Sequence, residues 1–345
     1  MTKKIILKGM NEEELRKYCE NLSSPSFHGM QLFRWMYKNN CHDIDEMKNI
    51  PKKIRYEIKK NGIIKLLSMK IKSESKIDKS TKFLLQTNDN YNIETVSMIE
   101  NNRHTVCLSS QIGCSVDCDF CATGKMGIIR NLSSGEIIEQ IITIMNHINI
   151  PITNIVFMGM GEPFLNYKNV IKSCDILCDH NGFNLSSKRI TISTSGILPK
   201  IDLFIKENHK YKIAISLNAS NNKVRNEIMP INKKWNIESL IKSIKKYSFY
   251  ESRPIMFEYV LLKNINDDKK DAIELANILK GIKCKVNLIP FNEIKGKYSR
   301  PDTDQINLFS KTLNESNPDL MVLTRWSKGE DINAACGQLA TINES

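Results

Sequence analysis

Apolar and polar residues change their period twice along this chain. Near the N-terminus the apolar positions recur at helical spacing. Asn11 is placed to cap Glu12-Glu13-Glu14-Leu15, three acids that suit the positive end of a helix. A second helix is predicted over 31–38 from the spacing of Leu32, Phe33, Trp35 and Met36, and Pro51 opens a third through Lys52-Lys53-Ile54-Arg55. From 62 to 100 the period falls to two, with strands over 82–86 and 93–98 and a polar Asn88-Asp89-Asn90 turn between them. From about 103 apolar strands alternate with amphipathic helices. Strands are expected over 105–108, 154–158, 189–193, 212–217, 255–262 and 285–290, and helices over 133–147, 166–180, 198–207, 236–247, 268–280 and 303–316. Six βα units in a row demand parallel strands, and uniform repetition on strands this apolar favours a barrel, complete or partial, over an open sheet. The fold class is therefore α/β, a partial (βα)6 barrel of TIM type. Its expected organisation is a helical accessory unit over 1–62, a β-rich linker and extension over 63–100, and a core with a C-terminal segment over 101–345.

Such barrels gather their chemistry on loops at the C-terminal ends of the strands. Unusual residues cluster there. Cys114, Cys118 and Cys121 follow the first strand, and Gly159-Met160-Gly161-Glu162-Pro163 follows the second. Ser193-Thr194-Ser195-Gly196, Ser216-Leu217-Asn218-Ala219 and Pro290-Phe291-Asn292 follow the third, fourth and sixth. Gly159 and Gly161 would let backbone approach a ligand closely. Glu162 can accept from a cationic amine, while Ser193, Ser216 and Asn292 can bond hydroxyls, a carboxylate or a base edge. The three thiols, spaced three residues and then two, suit an iron–sulfur cluster held by soft thiolates. A complete four-iron cluster takes four such ligands, so a run of three leaves one iron open. An open iron can chelate the amino and carboxylate groups of S-adenosylmethionine (SAM) and pass it an electron. A zinc knuckle is the competing reading, but no second pair of ligands follows Cys121 at a plausible distance.

No run approaches the ~18 apolar residues of a membrane span, and the N-terminus has no signal-peptide core, so the expectation is a cytoplasmic protein with no membrane partner. Ten cysteines there are reduced thiols, ligands or catalysts rather than structural disulfides. Net charge is +12, and residues 1–90 hold 19 Lys and Arg against 11 Asp and Glu. That asymmetry suits a polyanion bound through its phosphates, or simply a solvated basic face. Spacing alone makes Cys107 and Cys336 small buried hydrophobes, although Ala335 and Gly337 leave Cys336 little steric cover. Cys19, Cys41, Cys174, Cys178 and Cys284 belong to no motif.

The stretches ETVSMIE, CLSSQIGCSVDCDFCATG, NIVFMGMGEP, RITISTSGILP, RNEIMPINKKWNIE, FEYVLL, VNLIPFN and GEDINAACGQL occur in this order, and FHGMQLFRWMY precedes them. Together they resemble the RlmN/Cfr family, radical-SAM enzymes that methylate an adenine ring carbon in RNA. The resemblance spans essentially the whole chain. It implies one [4Fe-4S] cluster on Cys114, Cys118 and Cys121, two SAM per turnover, and SAM contacts at Gly161, Glu162, Ser193, Ser216, Leu217, Asn218 and Asn292. It further implies that Cys336 takes a methyl group from one SAM, and that the radical made from a second SAM activates this methyl for addition to adenine. Cys107 would then free the product through a transient disulfide with Cys336, with Glu94 as proton acceptor. The implied partners are 23S rRNA near its peptidyl-transferase region, tRNA 3′ of the anticodon, and an electron donor such as flavodoxin or ferredoxin. The implied state is a monomer. Gly161-Glu162-Pro163, Ser193-Thr194-Ser195-Gly196 and Phe257-Glu258-Tyr259-Val260 look like the branch that methylates C2; the C8 branch tends to replace the Pro, the second Ser and the Glu. One departure is Asn218, where the family commonly has His. Outside this chemistry, a cluster-bearing RNA-binding or redox protein remains the alternative.

Overall fold

The structure is a computed structural model describing residues 4–250 and 254–341, with side chains throughout except at 247–250. The first three residues of the helical unit and the last four of the core lie outside the described residues.

The chain opens with β1 (Ile5–Ile6), α1 (Glu12–Asn21), α2 (Phe27–Tyr37), α3 (Lys52–Asn61) and β2 (Gly62–Ile63), the two short strands pairing in parallel. Asn11 and Glu14 close a capping box on α1, as the acidic first turn led one to expect. α2 begins at Phe27 rather than 31. Gly29 accounts for this: a Cβ there would meet the backbone nitrogen of Arg16 at 2.3 Å, so α1 and α2 touch through a residue with no apolar signal. The helical unit packs on the barrel just as tightly. A Cβ on Gly9 would meet the Gly135 nitrogen at 2.3 Å, the Ser134 hydroxyl donates to the Gly9 carbonyl at 3.0 Å, and Lys172 reaches Glu14 at 2.6 Å.

The main sheet comprises β3 (Leu67–Glu74), β4 (Ser80–Thr87), β5 (Asn92–Glu100) and β6 (Arg103–Cys107), after which a small hairpin, β7 (Gln111–Gly113) and β8 (Ile128–Asn131), embraces the cysteine loop and α4 (Ala122–Lys125). There follow α5 (Ser134–His147), β9 (Asn154–Phe157), α6 (Tyr167–Cys178), β10 (Ile190–Thr194), α7 (Leu198–Lys206), β11 (Lys212–Ser216), α8 (Asn222–Ile228) and α9 (Ile237–Tyr250). The chain then runs through β12 (Ile255–Leu261), α10 (Lys269–Leu279), β13 (Cys284–Pro290), α11 (Thr303–Ser316) and β14 (Met321–Thr324). Ten strands form one sheet in the order β14-β13-β12-β11-β10-β9-β6-β5-β4-β3. The six expected parallel strands lie in sequence order and the sheet stays open, with β3 and β14 at its edges, which makes the barrel a partial one. Ile155, Phe157, Ile192, Ile215, Phe257 and Val286 are fully buried, as parallel strands covered on both faces require.

Two features differ from the sequence reading. β14 adds a seventh parallel strand; its four residues are partly or fully exposed, so it carries no core pattern. Strands β3 to β5 are an antiparallel continuation of the same sheet, with Val96 opposite Cys107. The C-terminal segment crosses that extension. Asp331 accepts from the Ser75 hydroxyl and the Lys76 amide, Asp78 accepts from the Gly329 amide, and the Lys82 ammonium donates to the Asn333 carbonyl. The extension thereby holds the strap that carries Cys336.

Candidate active site

The C-terminal ends of β9 to β13 converge on one cavity of about 170 Å³. Phe157, Ser193, Ser216, Glu258 and Ile289 line it, each from a different strand, and Cys114, Cys118 and Cys121 line it from the loop after β7. Asn292 and Cys336 complete the wall. Sequence spacing could not have put Cys336 opposite the cysteine loop, but the backbone does. The Ala122 amide donates to the Gly337 carbonyl at 2.8 Å, and the Thr123 hydroxyl to the Leu339 carbonyl. The Asn292 amide donates to the Cys336 carbonyl at 2.9 Å and to the Ser327 hydroxyl at 2.8 Å.

All ten cysteines are free thiols. Burial pushes Cys114 up to about 12 and Cys118 well above its ordinary value, with Cys121 raising both further and Cys114 adding to Cys118; burial raises Cys121 as well. Three thiols held this close and this dry ionise readily only beside a strong positive charge, which a metal centre supplies. Among the described residues no three His, Cys, Asp or Glu side chains converge as around a single ion. A tetrahedral zinc site needs that convergence, whereas a multi-iron cluster takes its thiolates one per iron and further apart. The donor set, three soft thiolates with no second pair of ligands following them, fits the cluster better than zinc.

Glu162 is buried, and its two carboxylate oxygens accept from the Phe164 amide at 2.9 Å and the Ser195 amide at 2.7 Å. It ties the ends of β9 and β10 together while lining the cavity, with burial raising its carboxyl. The glycines before it line the cavity and also serve the chain's own packing: a Cβ on Gly159 would meet the Leu108 carbonyl at 2.8 Å, and one on Gly161 the Gln111 side chain at 2.5 Å. The Ser193 and Ser216 hydroxyls lie 3.3 Å apart on neighbouring strands. Leu217 is fully buried and is not among the residues that line this cavity; its carbonyl accepts from Arg225. Asn218 has φ 58°, a left-handed conformation that Asn tolerates better than most residues. Its side chain accepts from the Val260 amide at 2.9 Å and donates to the Met229 sulfur at 3.3 Å. An amide replaces a ring there without loss of a donor or an acceptor.

Cys107 sits behind this cavity. A second space of about 20 Å³, room for roughly one water, is lined by Cys107, Cys336, Met158 and Arg325. Burial pushes Cys107 up to about 12, and the nearby Cys336 adds to the effect. Glu94 lines neither space. Its carboxylate accepts from Lys82 at 2.9 Å and from the Ala340 amide at 3.0 Å, so it grips the strap from the far side. Burial raises this carboxyl and Lys82 pulls it back.

Sequence reasoning assigned no place in the site to three charged residues, although Glu258 already marked the C2 branch. Arg225 is fully buried beneath the cavity, donating to the carbonyls of Leu217, Ser195 and Ser216 and to the Asn232 side chain; desolvation brings it down to about 10. Glu258, mid-strand on β12, presents a buried carboxylate with one oxygen bonded by Asn287 at 3.1 Å and the other unpartnered. Arg325 follows β14. Arg225 and Glu258 fall within stretches that carry the family resemblance, but no period or spacing gives any of the three a place in the site, because each acquires that place only from strands distant in sequence.

Comparison with known proteins agrees with this geometry. Residues 108–276 match the Radical SAM superfamily, and residues 5–64 match the ribosomal RNA large subunit methyltransferase N-terminal domain. The crystal structure of a radical SAM methyltransferase from Sphaerobacter thermophilus superposes with a TM-score of 0.93 at 37% identity, over 97% of this chain and 99% of that one. The fold and cavity thus define a radical-SAM RNA methyltransferase. Dual-specificity RNA methyltransferases RlmN of a Nitratiruptor species and of Nautilia profundicola are both 41% identical, over 96% and 98% respectively of this chain and of their own length. The chain belongs to the dual-specificity RNA methyltransferase RlmN family. Superfamily membership implies SAM and a [4Fe-4S] cluster, and no helix of the described residues is long and apolar enough to cross a membrane.

Proposed function

We propose that this enzyme methylates C2 of adenosine in 23S rRNA and in some tRNAs, carrying the methyl group on Cys336. The observation that supports this is the position of Cys336, which lines both the cavity bearing the three loop cysteines and the small space bearing Cys107. One sulfur with two faces suits a carrier that is loaded and activated on one side and released on the other. Cys114, Cys118 and Cys121 would hold the cluster, which supplies the electron that cleaves SAM homolytically and so makes radical chemistry available at an adenine carbon too electron-poor to attack a methyl donor. Gly161, Glu162, Ser193, Ser216, Asn218 and Asn292 would form the SAM pocket, with Leu217 supporting it from the core. Cys107 would release the product by a transient disulfide with Cys336, and Glu94, with its carboxyl raised by burial, would take the proton. Two SAM are consumed per methyl, and an electron donor such as flavodoxin or ferredoxin reduces the cluster of a monomeric, cytoplasmic enzyme.

The basic helical unit of residues 1–62 would grip RNA by shape and phosphate. Glu258 and the Pro163 and Ser195 positions favour C2 over C8. Mass spectrometry of nucleosides after anaerobic turnover tests both points. 2-Methyladenosine is expected from the natural enzyme and none from Cys336→Ala. 8-Methyladenosine would overturn the choice of carbon, and normal methylation by Cys336→Ala would overturn the carrier.

A further inference from the structure

The Asn292 side chain is engaged at both ends by the chain itself. Its amide nitrogen donates to the Cys336 carbonyl at 2.9 Å and to the Ser327 hydroxyl at 2.8 Å. An asparagine amide rotated by half a turn exchanges donor and acceptor with almost no change of shape. Rotated so, its oxygen would face the Cys336 carbonyl, acceptor against acceptor, and that tie to the strap would be lost. The far side of Asn292 decides between the two orientations. Arg300, just before α11, donates from Nη2 to the Asn292 oxygen at 3.3 Å, and from Nε to the Phe291 carbonyl at 2.6 Å. Nη2 also donates to the Glu330 carboxylate at 2.9 Å. A guanidinium has donors and no acceptor, so only the oxygen of Asn292 can face it. The Arg300 and Glu330 side chains are 27% and 39% exposed, so their ion pair adds little stability and serves to aim the fork. The segment that carries Arg300 is anchored independently, the Ser299 carbonyl accepting from the Lys263 amide at 3.0 Å.

We propose that Arg300 is a positioning residue for Cys336: by fixing the orientation of the Asn292 amide, it sets where the strap presents that sulfur in the cavity. Asn292 and Cys336 both line the cavity, whereas Arg300 is not among its lining residues and acts through Asn292. Small displacements of a reacting group are costly to rate. Two other ties keep the strap close when this one fails. The Ala122 amide still donates to the Gly337 carbonyl, and the Gln338 side chain to the Glu293 carbonyl at 3.1 Å. Loss of the orientation therefore slows Cys336 rather than abolishing its reaction.

The inference rests on the reading of Cys336 as methyl carrier. Enzyme produced under iron limitation, so that Cys336 starts unmethylated, is reconstituted anaerobically and mixed with SAM bearing a deuterated methyl group. Labelled Cys336 is followed by peptide mass spectrometry. At saturating SAM, R300M should load about fivefold more slowly than the natural enzyme, the effect of one lost hydrogen bond. Its half-saturating SAM concentration should stay within about twofold of the natural one. The double variant N292A/R300M should be no slower than N292A, because Arg300 has nothing left to orient; independent losses would multiply instead. Loading by R300M at the natural rate, losses that multiply in the double variant, or a change confined to the half-saturating concentration each overturns the proposal. Should R300M not be recovered folded, R300K serves instead: one ammonium cannot hold Phe291, Asn292 and Glu330 together, and loading at the natural rate overturns the proposal. Failure of the carrier reading would look different, as a natural enzyme that methylates RNA without labelling Cys336, and it would overturn this proposal with it.

Discussion

Removing the Lys82 ammonium, as in Lys82→Met, isolates a buried carboxylate and should do so in a pH-dependent way. The side chains of Lys82 and Glu94 are 15% and 6% exposed and lie 2.9 Å apart. Breaking a buried pair by deleting one partner costs about 3–5 kcal/mol; the partial exposure of Lys82 points to the lower end, about 3 kcal/mol. Glu94 can escape that cost by taking a proton, at about 1.4 kcal/mol per pH unit. The sign follows from the direction of its shift. Burial already holds the folded Glu94 carboxyl above its ordinary value of 4.5, so the native state binds the proton more tightly than the unfolded chain does. Stability associated with this group is present at acid pH and is lost as pH rises through the folded pKa. Lys82→Met moves that pKa further up, so the deficit against the natural enzyme should be small near pH 4.5 and grow toward neutrality before levelling. Urea denaturation at fixed ionic strength across that range measures it. Glu94→Gln keeps an acceptor for the Ala340 amide without the charge, and the double variant should lose the pH-dependent part of the deficit. A deficit constant with pH, or one that survives in the double variant, would refute this account.

Two further substitutions probe the cavity walls. Asn292→Ala removes the bonds to the Cys336 carbonyl and the Ser327 hydroxyl, worth about 1 kcal/mol each. Intact-protein mass spectrometry after incubation with SAM should show methyl loading of Cys336 falling severalfold while the cluster is retained, and undiminished loading would sink that role. Gly161→Ala places a Cβ 2.5 Å from the Gln111 side chain at φ +94°, and such strain costs about 1–3 kcal/mol. A thermal melt should show the loss, and an unchanged melting temperature would mean that the start of β7 at Gln111 gives way freely.

Much of the architecture was legible without coordinates because it rests on local period. The six parallel strands and their helices emerge within a residue or two of the boundaries read from apolar spacing, apart from α9, which runs three residues further, and the Asn11 cap was visible in the residues. The cysteine loop was equally plain, since three soft ligands in eight residues are a short-range pattern. α2 started early because a glycine contact, which has no hydropathy signature, decided its packing. β14 escaped notice because an exposed four-residue strand lacks the alternation that marks a buried one.

By itself, then, the sequence determined the order and type of elements, the thiol triplet and the face on which the strand-end residues gather, all consequences of neighbours a few residues apart. Only the tertiary structure decided that the β3–β5 extension grips the C-terminal strap through Asp78, Lys82 and Glu94, that Cys336 thereby stands between the loop cysteines and Cys107, and that Arg325 and Glu258 face the same region. These contacts join residues up to about 250 positions apart. Burial and charge at such a meeting point come from the packing of several strands at once, and no single segment carries a pattern that records them.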